Sequence, residues 1–296
     1  MKLIPKPLRR HAERLMAEEV GRVLYGNLLG PANNRAAARR LKAARAAAGP
    51  IADSPQAAAL RQRGCGFYEA VDAGVLAEVR AQYLAAVEDA ALTERTGAAP
   101  RRLARPGEPV YRVTLRDTAA AVPAALRLLD GPLQGVIRAY YGAHFRLHSV
   151  AAWRIFHVPA GVLAASSPYS LLWHVDGHPP DTLKLFVALS DISADDGPLH
   201  FLDRARTASA IRAGYRNRRR YGGAAALLED PHHLGRLTGP PGSAAFCNTT
   251  TNLHRAGIPA PGRCRDILQF RFEPAVAPFD PAAPLTATPR AKPPAP

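Results

Sequence analysis

After Gly142 the chain becomes a succession of short apolar runs separated by glycine and proline clusters, and this limits the available folds more than any other feature. Phe145 to Val158, Ser170 to Val175, Thr182 to Ile192, Leu199 to Leu202, Ser243 to Cys247 and Cys264 to Phe272 each read as strands. Upstream, Gly64 to Val71 reads as a short strand, and Asp72 stands where an N-cap opens the helix Ala73 to Ala91. A loop rich in Arg, Gly and Pro (Arg95 to Pro109) leads to a strand at Val110 to Leu115. Helical stretches follow around Ala119 to Leu129 and Pro132 to Tyr141. Helices followed by a run of strands predict an α+β chain with a mainly β core, a sandwich or barrel buttressed by helices on one side. A helical insertion, Ala205 to Leu228, interrupts the strands.

Three segments are expected. Residues 1–62 form a helical, basic extension, in which Leu8, Ala12, Leu15, Met16, Val20, Val23 and Leu24 recur at helical spacing. Asn34 caps a second, Ala-rich helix that stops at Gly49-Pro50. Residues 63–275 form the main domain, and 276–296 a Pro/Ala-rich tail expected to be disordered. With 296 residues and 47% hydrophobic content the chain can bury a sizeable core. Neither a secretory signal nor a transmembrane helix is written at the N-terminus, so a cytoplasmic location is expected. Cys65, Cys247 and Cys264 are odd in number and lack CxxC spacing, which argues against a disulfide framework or a cysteine zinc site. The formal charge of +15 favours anionic partners. The abundance of Ala, Arg and Pro also matches the coding bias of a GC-rich genome, so basicity alone does not specify nucleic-acid binding. Nothing in the sequence sets the oligomeric state.

The chemistry is carried by Trp173-His174-Val175-Asp176-Gly177. Residues at i and i+2 of a strand share a face, so one segment can deliver the His174 imidazole and the Asp176 carboxylate to one metal ion. Gly177 then lets the chain turn away. A third ligand would complete a two-histidine, one-carboxylate facial triad that leaves positions open for co-substrate and oxygen. His254, just before a Gly/Pro-rich turn between late strands, is the candidate. An HxD tripeptide alone is weak evidence. Beyond His254, however, Arg263 and Arg265 stand at alternate positions at the start of a strand, expected on one face. A guanidinium projecting into a barrel needs an anion, and its fork matches a carboxylate bidentately. The alternative is that both arginines face solvent or pair near Asp266.

Taken together, these features resemble the phytanoyl-CoA dioxygenase-like branch of iron(II)/2-oxoglutarate oxygenases. Arg63-Gly64-Cys65-Gly66-Phe67 is similar to the family's opening segment, Trp173 to Gly177 to its W-H-x-D-G, and Asp195-Asp196-Gly197-Pro198-Leu199-His200-Phe201 to its acidic turn and N-G-x-L. Gly242-Ser243 through His254 to Arg265 resembles its closing module. The chain departs from the pattern at Ser243, where the family has Asp, and at Pro198 and His200. The resemblance covers roughly Arg63 to Phe272 and implies a double-stranded β-helix. It further implies an iron(II) centre held by His174, Asp176 and His254, with Arg265 on the distal carboxylate of 2-oxoglutarate and O2 as the oxidant. The presence of Asp176, where related halogenases have Ala or Gly, favours hydroxylation or another outcome of hydrogen abstraction. A small-molecule or carrier-linked substrate is expected.

Four further residues are candidates. Lys184, a lone cation in an apolar run, could contact the keto acid or snorkel at the barrel edge. Thr251, with Thr250, could bond a carboxylate or belong to an ordinary Thr-rich turn. His178, in the loop leaving the triad, could touch substrate. The basic cluster Arg212 to Tyr221 reads first as a solvated helix face, or else as a grip for a coenzyme A thioester, a carrier protein or a nucleic acid. Two other functions compete: a catalytically inactive barrel that binds or regulates through its basic segments, and a zinc hydrolase built on His174, Asp176 and His178.

Overall fold

The computed structural model describes residues 35–68, 71–98, 103–165, 171–218, 220–232 and 234–281. The expected helix over Leu8 to Leu24, most of the Pro/Ala-rich tail and Arg219 of the basic cluster lie outside the described residues. The helices are α1 (Arg35–Ala48), α2 (Pro55–Arg63), α3 (Ala73–Glu88), α4 (Thr118–Ala121), α5 (Pro132–Tyr141), α6 (Ala160–Ala165), α7 (Arg204–Arg212) and α8 (Ala225–Glu229). The strands are β1 (Cys65–Tyr68), β2 (Thr93–Thr96), β3 (Arg112–Leu115), β4 (His144–Phe156) and β5 (Leu183–Ala188). They continue with β6 (Leu199–Phe201), β7 (Gly235–Leu237), β8 (Ala244–Cys247), β9 (His254–Ala256) and β10 (Cys264–Ala275). No helix among the described residues is long and apolar enough to cross a membrane.

Local chemistry sets the helix ends. Ser54 accepts the Ala57 N–H, Pro55 occupies the first turn, and Gly64 closes α2 at φ 75°. A side chain at Gly64 would also strike Asn252, so this glycine is required for space as well as for its backbone angle. Asp72 caps α3 through the Val75 N–H, as its sequence position suggested. The helix expected over Ala119 to Leu129 is divided: α4 ends before Pro123, which cannot continue its hydrogen bonds, and a 3-10 turn runs over Pro123–Leu129.

Seven strands form one antiparallel sheet in the order β1-β8-β5-β10-β4-β3-β2, and β7-β6-β9 form a second. Because strand side chains alternate, the central strands bury both faces. Leu183, Leu185, Val187, Leu268, Phe270 and Phe272 join Val79, Tyr83, Leu133 and Ile137 of α3 and α5 in the outer core. Trp153, Ile155, Phe186, Ala188 and Ile267 face Leu199, Phe201, Leu237 and Ala256 of the smaller sheet. This two-sided burial is why β5 reads as a continuous apolar run broken only by Lys184. The result is the expected sandwich with helices against one side.

The insertion folds as α7 and α8, joined by a glycine-containing turn, over a third core of Trp173, Val175, Leu202, Tyr215, Leu228 and Leu253. Tyr215 is fully buried, stacks on Tyr221 and donates to the Trp173 carbonyl at 2.8 Å. The tyrosines of the basic cluster therefore pack the insertion onto the chemical segment. The three cysteines are free, and Cys247 is buried.

Candidate metal centre and its cavity

Of the segment expected as a strand from Ser170 to Val175, the described residues 171–175 make a single bridge, His174 with His254. Its backbone bonds are few: His174 and His254 exchange both N–H···O bonds at 3.0 Å, and Asp176 N–H reaches the Thr249 carbonyl at 2.8 Å. These bonds nonetheless fix the extended path. His174 and Asp176 come off the same side, and His254 stands opposite at the start of β9. Of the sequence candidates, these three are brought together most tightly, with donor atoms all within 4.8 Å of one another.

Each imidazole is oriented from behind. His174 Nδ1 lies 2.8 Å from the Leu172 carbonyl and His254 Nδ1 3.1 Å from that of Asn252. A carbonyl only accepts, so each Nδ1 carries a proton, and in a neutral ring each Nε2 then presents a lone pair. The two Nε2 atoms lie 3.6 and 3.7 Å from the Asp176 oxygens, and that of His174 is buried without a hydrogen-bond partner among the described residues. Burial, reinforced by His174, pushes His254 down to about 3, so its ring is neutral. Burial alone would raise Asp176, but Lys184 Nζ at 2.6 Å and the two histidines hold its carboxyl well below the usual range. Two imidazoles and one carboxylate, with an orphaned ring nitrogen between them, are a donor set suited to a divalent metal.

These donors open into a cavity of about 230 Å³, lined also by Arg112, Trp153, Phe186, Phe201 and Gln269. Beside the lining residue Ile155, its cross-strand partner between β10 and β4, Arg265 is fully buried. Among the described residues only Nη1 has a hydrogen-bond partner, the Gly257 carbonyl at 3.3 Å, while Nε and Nη2 have none. Burial and then Arg112 push its guanidinium down to about 9. Arg263 is not its companion. It precedes β10, is half exposed and pairs with Asp196 at 3.0 Å. Asp266 points to the opposite face, where Tyr83 and Arg154 each meet it at 2.8 Å.

The remaining candidates divide. Lys184 lines the cavity on Asp176. Thr251 lies in the turn before β9, its hydroxyl 2.8 Å from Asn252 Oδ1 and 3.3 Å from the Asn248 carbonyl, and it does not line the cavity. His178 sits in the loop after Asp176, with Nδ1 3.2 Å from Arg271 Nη1. Sequence reasoning missed Arg112, whose guanidinium lies 4.5 Å over the Trp153 ring, and Arg271. Both stand on strands at positions whose alternate neighbours face inward, a signal readable only once the inner face is known.

No family model matches the chain, and no curated protein does. Among solved structures, EctD from S. alaskensis with 2-oxoglutarate and 5-hydroxyectoine is similar at 18% identity and a TM-score of 0.52, over 75% of this chain and 76% of that one. The same protein with bound Fe gives 18% identity and 0.51 over the same shares, 75% and 76%. AviO1 from Streptomyces viridochromogenes Tue57 is 16% identical over 80% of this chain and 98% of its own, with a TM-score of 0.48. The likeness to EctD carries the fold, a double-stranded β-helix buttressed by helices.

Proposed function

We propose that the chain is a non-haem iron(II)/2-oxoglutarate-dependent dioxygenase of the phytanoyl-CoA dioxygenase-like kind, hydroxylating an unactivated C–H bond of a small-molecule or carrier-linked substrate. One observation carries this reading: the His174, Asp176 and His254 donors converge in a cavity, and beside its lining residue Ile155 stands a fully buried guanidinium, two of whose nitrogens have no partner among the described residues. A guanidinium in that condition is costly unless an anion completes it, and a carboxylate fits its fork. EctD, which shares the fold, is crystallised with Fe and with 2-oxoglutarate.

On this reading His174, Asp176 and His254 hold iron(II), and Arg265 takes the far carboxylate of 2-oxoglutarate. When bound, iron, 2-oxoglutarate and O2 supply an oxidative decarboxylation coupled to removal of a hydrogen atom from carbon. The side chains contribute geometry and dryness. The carbonyls of Leu172 and Asn252 aim the two imidazoles, Lys184 keeps Asp176 ionised, and Trp153, Phe186 and Phe201 exclude water from the cavity. Residues 63–275 are the catalytic domain, preceded by the extension 1–62 and followed by the tail 276–296.

Anaerobic protein mixed with iron(II) and 2-oxoglutarate should develop the weak visible charge-transfer band of the chelate, and His174→Ala should abolish it. Wild-type protein without a band, or a band undiminished in His174→Ala, refutes the assignment.

A further inference from the structure

Beyond Lys184, the inner wall of the large sheet continues into a charged stretch that the triad and Arg265 leave unused. Arg265, Gln269 and Arg271 alternate along β10 and so share its inner face, with Arg271 opposite Lys184 of β5. A register shift after Arg271 marks a bulge against β4, the kind of irregularity that re-aims side chains at a site.

The neighbouring cations are matched. Lys184 meets Asp176 at 2.6 Å, Arg146 meets Glu273 at 2.6 Å and Arg40 meets Asp181 at 2.8 Å. His148 faces Glu273 at 3.4 Å. Arg271 differs. Among the described residues its guanidinium has one hydrogen-bond contact, Nη1 to His178 Nδ1, while its Nε is buried without a partner. Arginine only donates, so His178 Nδ1 accepts, and the imidazole proton lies on Nε2 as a second donor. The Nε side of the guanidinium fork is left for a ligand.

We propose that Arg271, braced by His178, binds a carboxylate carried by the substrate. This rests on the reading of the triad as the catalytic centre, because it places the anion on Arg271, the neighbour of Lys184 on the adjacent strand, and beside His178, two residues beyond Asp176. The ligand is distinct from 2-oxoglutarate. Six residues of extended strand separate Arg271 from Arg265, about 20 Å at about 3.3 Å per residue, and a five-carbon diacid spans far less. A guanidinium with one open edge, its charge already partly offset by Glu273 and Asp176, suits a planar monoanion better than a phosphate dianion.

The test uses full-length protein with zinc(II) and saturating 2-oxoglutarate, titrated with 4-fluorobenzoate, 4-fluorobenzamide and phenyl phosphate. Fluorine relaxation reports the first two and competition the third. The expected result is binding of the acid at least tenfold tighter than the amide, no displacement by further 2-oxoglutarate, and loss of the preference in Arg271→Gln. Arg271→Lys, which keeps the charge and loses the fork, should weaken the preference at least threefold and decides the matter if Arg271→Gln does not fold. Equal binding of acid and amide, a preference that survives both variants, displacement by 2-oxoglutarate, or tighter binding of phenyl phosphate overturns the proposal. The chelate band described above reads the iron and 2-oxoglutarate assignment separately, so the two can fail independently.

Discussion

Arg265 shows how a single residue can be set against the stability of the fold. It is fully buried, and two of its nitrogens have no hydrogen-bond partner among the described residues. Each unmet buried donor costs on the order of 1–3 kcal/mol, and replacing buried charge with apolar volume is often neutral or favourable. Arg265→Met should therefore raise the unfolding free energy of the metal-free protein, by about 1–3 kcal/mol, while abolishing the 2-oxoglutarate chelate band. Paired thermal melts and anaerobic spectra would check this, and a destabilised Arg265→Met protein would show that the guanidinium supports the fold. Alternation in the sequence brings out Arg263 and Arg265 together, and the family resemblance alone implies Arg265. Alternation applies only within a strand, and β10 begins at Cys264, leaving Arg263 in the turn with Asp196. Thr251 was misleading for a similar reason, since it stands in a turn whose own geometry occupies its hydroxyl.

At the scale of elements, legibility followed length and burial. β4, β5, β8 and β10 could be read because their apolar runs are continuous or strictly alternating. β7 and β9 are three residues each, too short for any period, and β9 carries His254. The segment before Asp176 was read as a strand, yet it makes one bridge because the insertion core, rather than a partner strand, holds Trp173. Helix α2 had a readable start in Ser54-Pro55 but was absorbed into the extension. Helix α1 has a consequence for the site. Its Arg40 grips Asp181 with both oxygens at 2.8 Å and lies 3.8 Å from Glu273, thereby pinning the loop that leaves the triad against β10. Asn248 Nδ2 holds the same loop through the Pro180 carbonyl at 2.8 Å. Removing Arg40 strands the Asp181 carboxylate, whose side chain is only 6% exposed, and leaves Glu273 to Arg146. Arg40→Ala should cost about 2 kcal/mol in urea unfolding and speed amide exchange across residues 177–182 ahead of the rest of the chain. Uniform exchange, or no loss of stability, would show that α1 merely rests on the sheet.

For the whole molecule, the sandwich places its cations inward as well as outward, and this fixes the protonation of the histidines between them. Burial, then neighbouring positive charge, pushes His178 down to about 4 and both His200 and His254 to about 3. For His200 the cause is visible in one contact, because Arg255 Nε donates to its Nδ1 at 3.0 Å, a bond that a protonated ring cannot accept. Unfolded, these rings take protons near pH 6.5, whereas folded they resist until pH 3–4. The stability they carry is therefore complete above about pH 6.5 and declines as pH falls toward the folded values, since the unfolded chain binds more protons throughout that window. Carboxylates act lower. Burial pushes Glu273 up, but Arg146 and Arg40 bring it net below its ordinary 4.5, so its contribution is lost only under that value. A fall in the unfolding free energy of the metal-free protein between pH 6.5 and pH 5 thus belongs to the histidines, with His200 alone worth about 1–2 kcal/mol at pH 5. His200→Gln, whose side-chain oxygen can still accept from Arg255, should flatten this limb by up to about 1.4 kcal/mol per pH unit and leave the loss below pH 4.5 in place. Urea titrations at half-unit steps would check the sign: stability that holds level down to pH 5, or a limb as steep in His200→Gln as in wild type, would mean that the interior admits the proton and that its cations do not govern the rings beside them.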